Sequence, residues 1–184
     1  MKNKKVNKVR IIGGSHRSRL IEFFDADGLR PTPDRVRETL FNWLGQTLDG
    51  RSCLDLFAGS GVLGFEAASR GAAEVIMIER NRAVFHTLQD NIKKLDLPNV
   101  ALRSEDGLEF AKQANRQFDI IFLDPPFQSD YLPMLLPLLA EKLAENGLVY
   151  VESGAAFDAV ADWHVIKQAR AGAVFYQLLQ YRKQ

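Results

Sequence analysis

LDLFAGSGVLGFEA, residues 54–67, starts as an apolar run interrupted by one aspartate and closes on residues suited to a helix. Between these, Gly59, Gly61 and Gly64 stand in G-x-G-x-x-G spacing, with Ser60 inside the loop. Glycines so placed allow a sharp strand-to-helix turn and let a ligand approach the backbone at the helix N-terminus. The next apolar run, EVIMIE (74–79), ends on Glu79, where a carboxylate can hold both hydroxyls of a ribose. On these features alone a dinucleotide fits as well as any other nucleoside ligand.

Asp55 separates the two. It sits four residues before Gly59, near the end of a strand that opens onto the same crevice. A carboxylate beside a diphosphate is repelled at short range. Beside S-adenosylmethionine, which carries a sulfonium and an α-ammonium, the same charge is attractive. The competing role for Asp55 is to cap a turn. Phe57 reads either as core or as a wall of the cofactor pocket. Asp106, in SEDGLEF (104–110), can accept from an adenine amino group or serve as the N-cap of a short helix, and both roles are compatible.

Outward from the loop the pattern alternates. Strand-like runs at 52–57, 74–79, 99–105 and 118–123 are separated by helical stretches to about Arg70, over 81–97 and over GLEFAKQA. Residues 129–146 read as helical in parts despite two prolines, and Gly147 precedes the strand LVYVES. Alternating strands and helices imply a mostly parallel sheet covered on both faces. WHVIKQARAG and AVFYQLLQYRK change the pattern and read as an antiparallel edge pair. Upstream, VRII-GGSHRS-RLIEFF (9–24) reads as a hairpin with His16, Arg17 and Arg19 near its tip. Thr32 is placed to N-cap a helix that takes Pro33 and Asp34 into its first turn, with Val36, Leu40, Leu44 and Leu48 as its buried stripe and Gly50 just past its end; Thr32 is also a candidate for cofactor binding, within reach of the cofactor carboxylate or the target nucleotide. Nothing marks an internal repeat or a linker, so residues 1–184 are expected to form one domain, with 1–29 as a basic appendage.

The fourth core strand stops at FLDPPF (122–127). Prolines cannot continue a sheet ladder, and in an open α/β sheet this strand ends beside the first, at the ligand crevice. Asp124 is therefore expected next to the methyl group of the donor. The exocyclic amine of a nucleobase is a poor nucleophile because its lone pair is delocalised. A carboxylate accepting its N–H can hold it in line and help remove the proton. Carbonyls held by Pro125 and Pro126 can accept the second N–H, and Phe127 offers a stacking face worth ~1–3 kcal/mol.

Composition bounds the rest. The chain has 184 residues, 46% apolar and 26% charged, with no apolar run of membrane-spanning length and no signal-like core. The lone Cys53 excludes an intramolecular disulfide, and His16, His86 and His164 lack metal-like spacing. A cytoplasmic, metal-free monomer is expected. Seven of the 24 Lys and Arg fall within residues 1–20, with no acid there, so the rest of the chain is net negative. A basic arm on an acidic body suggests a local polyanion contact, the alternative for residues 1–8 being a solubilising tail. Arg30, Arg35 and Arg37, around the start of the first helix, suit phosphate clamping; Arg–Glu38 pairing on a surface helix is the competing reading. Arg10 and His16 are further candidates for RNA contact.

D-P-P-F at this position resembles the amino-group methyltransferases that carry an (Asp/Asn)-Pro-Pro-aromatic motif. RIIGG (10–14), the arginine-containing loop after it, RPTPDRVRETLFNWL (30–44), LDLFAGSGVLGFEA, the Glu79 strand end and FLDPPF recur in that order in the bacterial 16S ribosomal RNA guanine-N2 methyltransferases of the RsmD type. The resemblance covers nearly the whole chain. It implies a Rossmann-like class I methyltransferase fold of seven strands, S-adenosylmethionine as donor, and a guanine of 16S rRNA, in a partly or fully assembled small subunit, as acceptor. One departure is HRSR at the hairpin tip, where many members have glycine in place of Ser18. The same motif serves DNA adenine and protein glutamine methylation. Two other classes remain as rivals: a small NAD-binding oxidoreductase, and a catalytically silent RNA-binding protein of the same fold.

Overall fold

The computed structural model describes residues 6–24, 30–125, 131–158 and 162–182. Nine strands and five α-helices are found there. The strands are β1 (Val6–Arg10), β2 (Leu20–Phe24), β3 (Ser52–Asp55), β4 (Glu74–Ile78), β5 (Val100–Arg103), β6 (Phe118–Leu123), β7 (Leu143–Ser153), β8 (Trp163–Ala171) and β9 (Val174–Tyr181). The helices are α1 (Asp34–Leu44), α2 (Val62–Ser69), α3 (Arg82–Leu95), α4 (Gly107–Gln113) and α5 (Tyr131–Leu139). Strands β3 to β9 form one sheet in the order β5-β4-β3-β6-β7-β9-β8, and β1 pairs with β2 separately.

The parallel core follows from strands apolar on both faces. Cys53 faces a core shared with α1, α2, α3 and the hairpin, through Phe41, Phe65 and Leu88. Its neighbour Leu54 faces the opposite core, shared with α4 and α5 through Phe110, Leu135 and Leu139. This alternation is the period of a strand with helices on both sides. From β3 the chain winds outward through β4 and β5, then returns to lay β6 against the other side of β3. Direction reverses between β3 and β6, so a crevice opens at their C-terminal ends. Strand β9 inserts between β7 and β8 and runs antiparallel to both.

Three expectations need correction. Thr32 does not cap α1: Pro33 holds the N-cap position with no side-chain bond, and the Thr32 hydroxyl turns to Glu152 instead, at 2.7 Å. The helix also ends sooner than Gly50, at Gly45, whose φ of 104° breaks it and leaves the buried Leu48 outside. Strand β7 begins at Leu143 rather than after Gly147, because its pairing with β6 breaks and resumes: Phe118 pairs with Leu143, then Ile120 with Leu148. An interruption of this kind lets one strand carry extra residues and still rejoin its ladder.

The hairpin is docked on the core. Ser15 donates its backbone N–H to Ser69 O (2.7 Å), His16 N–H reaches Ser69 Oγ (2.9 Å), and Ser69 Oγ returns a bond to Gly13 O (2.6 Å). Gly14 is required here: its φ is 75°, and a Cβ would lie 1.9 Å from Ser69 O. Ser18 sits at φ 71°, a left-handed conformation that costs a serine more than a glycine. Strand β1 reaches back to Val6, so the last residues of the supposed tail are paired strand.

Candidate active site

Strand register brings the acids together. Asp55 on β3 pairs with Phe122 on β6, and Phe122 pairs with Tyr150 on β7. Side chains in one such row share a face of the sheet, and so do residues two positions further along each strand. Asp124 and Glu152 therefore project on the same side as Asp55, toward the segment that leads into α1. A crevice lies there, lined by Arg30, Thr32, Asp55, Phe57, the Ala58–Ser60 turn and Asp124, among others.

Three carboxyls crowd this end of the sheet. Burial pushes the Asp55 carboxyl up to about 7, helped by the charges of Glu79 and Glu152, while the N–H groups of Gly64 and Phe57 work against it. Asp124 is driven well above the ordinary carboxylate range, first by burial and then by Glu152 and Asp55. Glu152, 5% exposed, is also raised by burial, opposed by the hydroxyls of Thr32 and Tyr150, 2.7 and 2.9 Å from its Oε1. Among the described residues no lysine or arginine stabilises any of the three. Such a site favours a cationic ligand over a phosphate.

The loop beside the acids is built by two further carboxylates. Asp55 Oδ2 accepts the Gly64 N–H (3.1 Å), so the turn-capping role and the crevice-facing role coincide. A Cβ at Gly64 would stand 3.2 Å from that oxygen and 2.9 Å from the Met77 side chain. Glu79 accepts from Gly59 N–H (3.0 Å) and from Asn81 N–H (2.7 Å), one on each oxygen, which leaves lone pairs for ribose hydroxyls. Asp106 caps α4 through Oδ1, accepting from Leu108 (2.9 Å) and Glu109 (3.3 Å), while Oδ2 lies 3.5 Å from Arg80. Phe57 is half-buried at the crevice, its ring 5.1 Å from that of Tyr131.

A family model described as conserved hypothetical protein 95 matches residues 9–180. The chain belongs to this family, the RsmD type. It is 42% identical to ribosomal RNA small subunit methyltransferase D of Escherichia coli K12, over 96% of this chain and 92% of that protein. The protein of the same name from Haemophilus influenzae is 40% identical, with 94% of each chain covered. The solved structure of yhhF from Escherichia coli superposes with a TM-score of 0.87 at 42% identity, covering 97% of this chain and all of that one. The fold is the Rossmann-like class I methyltransferase fold expected from the sequence.

Within this RsmD-type frame the remaining candidates fall in different places. Pro125 is buried beside Asp124; Pro126 and Phe127 lie outside the described residues. Arg17, Arg19, Arg30 and Arg35 are exposed, and Arg10 is exposed but paired with Asp34 at 2.9 Å. His16 is committed to the protein: Nδ1 meets Ser15 Oγ and Nε2 donates to Leu95 O, both at 2.9 Å, which removes it as a free phosphate contact. Arg37 is fully buried and bonds Glu66, Asp34 and the carbonyls of Thr32 and Arg10, so neither phosphate clamping nor a pair with Glu38 describes it. Sequence reasoning missed Glu152 and Glu66. The signal for Glu152 was an acid at the end of the apolar run LVYV, the same feature that singled out Asp55.

Proposed function

We propose that this protein is an S-adenosylmethionine-dependent methyltransferase acting on the exocyclic N2 amine of a guanine in 16S rRNA, within an assembled or assembling small ribosomal subunit. One observation carries the reading: Asp55, at the glycine loop, and Asp124, at the switch point, line the same crevice, and among the described residues no lysine or arginine pairs with either. The ribosomal acceptor is suggested by the relatives named as small subunit rRNA methyltransferases. The guanine N2 position follows from the resemblance already drawn.

The residues present fit the donor. Its sulfonium and ammonium match the excess of buried carboxylates, its ribose matches the open lone pairs of Glu79, and its adenine amino group matches Asp106 Oδ2. When bound, the donor supplies a methyl group activated by positive sulfur. Asp55 and the Gly59–Gly61 turn hold its charged end, and Phe57 walls the pocket. Asp124 accepts an N–H of the guanine amine, orients the nitrogen for in-line attack and receives its proton. Pro125 and Pro126 present carbonyls to the second N–H, and Phe127 stacks on the base. The base must leave its stack to reach this depth, which is easiest in a loop. Arg17, Arg19, Arg30 and Arg35 grip phosphates around it.

Asp124→Ala tests the acceptor role. It should abolish label transfer from S-adenosylmethionine to small subunits while changing donor affinity by no more than a few-fold. Turnover at the level of the parent protein would overturn the assignment.

A further inference from the structure

Glu152 has no place in the motif chemistry above, yet it is buried against two residues of the crevice, Asp124 and Thr32. Phe122 pairs with Tyr150 and Leu123 with Val151, so the next step along both parallel strands sets Asp124 beside Glu152. Strand spacing of ~4.8 Å puts two carboxyl-bearing residues side by side on one face. Glu152 is held there by the Thr32 hydroxyl from the segment before α1 and by the Tyr150 hydroxyl from its own strand. Two donors on one oxygen fix the side chain without neutralising it. Such anchoring of a buried acid is unusual where only packing is needed, because an apolar residue would fill the space without desolvating a charge.

We propose that Glu152 is a positioning residue for methyl transfer: it sets a second negative carboxylate against Asp124, making Asp124 a better proton acceptor, and it holds Thr32 as part of the acceptor wall. This rests on the methyltransferase reading. In the step itself, the amine nitrogen forms a bond to the methyl carbon and the carbon–sulfur bond breaks, its electron pair staying on sulfur. The proton lost from nitrogen goes to Asp124. A neighbouring carboxylate raises the proton affinity of Asp124 and shares the proton once it arrives. Among the described residues, the other groups facing the pair are Asp55 from β3, Tyr150 from β7, Tyr176 from β9, which pairs with Glu152 in register, and Arg30 at the crevice mouth.

Carbon-13 NMR titration of the side-chain carboxyls tests the pair without any substrate. In the parent protein the Asp124 and Glu152 signals should each show two steps, with the midpoints of one mirrored in the other; independent single-step curves would overturn the proposal. Glu152→Gln keeps an oxygen for Thr32 and Tyr150 but removes the charge. It should lower the Asp124 midpoint by about one pH unit and slow single-turnover transfer at neutral pH roughly tenfold, with donor affinity nearly unchanged. Glu152→Asp, which keeps the charge, should restore most of the Asp124 midpoint. An unchanged Asp124 midpoint in Glu152→Gln, or the same fall in both variants, contradicts the role of the charge. If the parent protein transfers no label to small subunits, the function fails instead, and the titration still decides the pair.

Discussion

Asp55 holds its proton to about pH 7, against an ordinary value of 3.8. Between those limits the folded chain keeps a proton that the unfolded chain has released. The stability tied to this group is therefore complete below pH 4 and is lost as pH rises toward 7. Asp55→Asn removes that loss and should raise stability above pH 7 by roughly 1–3 kcal/mol, seen as a melting temperature several degrees higher. The same variant should weaken S-adenosylmethionine binding at least tenfold, and affinity in the parent protein should climb from pH 6 to about 7.5 as Asp55 ionises. Calorimetry at several pH values checks both; equal donor affinity in the two proteins would remove Asp55 from the donor site. Asp55 and Asp124 were legible because each interrupts an apolar run beside glycine or proline. Glu152 carries only the first half of that signature, and Glu66 neither half: apart from Arg70, one helical turn on, its partners lie 29 and 54 residues away.

Glu66 is what joins the elements. It stands on α2, directly after the glycine loop, fully buried, and takes the Arg37 guanidinium of α1 (2.5 Å), the Arg70 guanidinium (3.2 Å) and the Ile12 N–H behind β1 (2.6 Å). Arg37 in turn reaches Asp34 and two backbone carbonyls, and Arg70 lies 4.3 Å over the Phe41 ring. One carboxylate thus docks the hairpin and α1 onto the helix whose N-terminus shapes the donor turn. Glu66→Ala would leave two buried guanidinium groups short of a partner and should cost about 3–5 kcal/mol. Urea unfolding measures this, and a loss below about 1 kcal/mol would contradict the role. The repeated arginines of RPTPDRVRET look alike in sequence, but only burial separates Arg37 from Arg30 and Arg35. The parallel strands and their helices were legible from alternation of apolar runs. The start of β7 was not, because LAENG carries helix-forming residues that register with β6 overrides.

Across the whole molecule charge is divided by function. Asp55 and Asp124 line the crevice with buried Glu152 behind them, while Arg17, Arg19, Arg30 and Arg35 are exposed around the hairpin, the approach to α1 and α1 itself. A polyanion held by such arginines loses affinity with salt in proportion to the contacts made. Replacing Arg17 and Arg19 with alanine should raise KM for small subunits several-fold and flatten the salt dependence, leaving donor affinity intact; an unchanged KM would place the RNA elsewhere. The most direct measurement of the central claim is nucleoside analysis by mass spectrometry after the protein and labelled S-adenosylmethionine meet small subunits from cells lacking the enzyme. Label confined to N2-methylguanosine of 16S rRNA is the predicted result. Label on another nucleoside, on duplex DNA alone, or on none would contradict it.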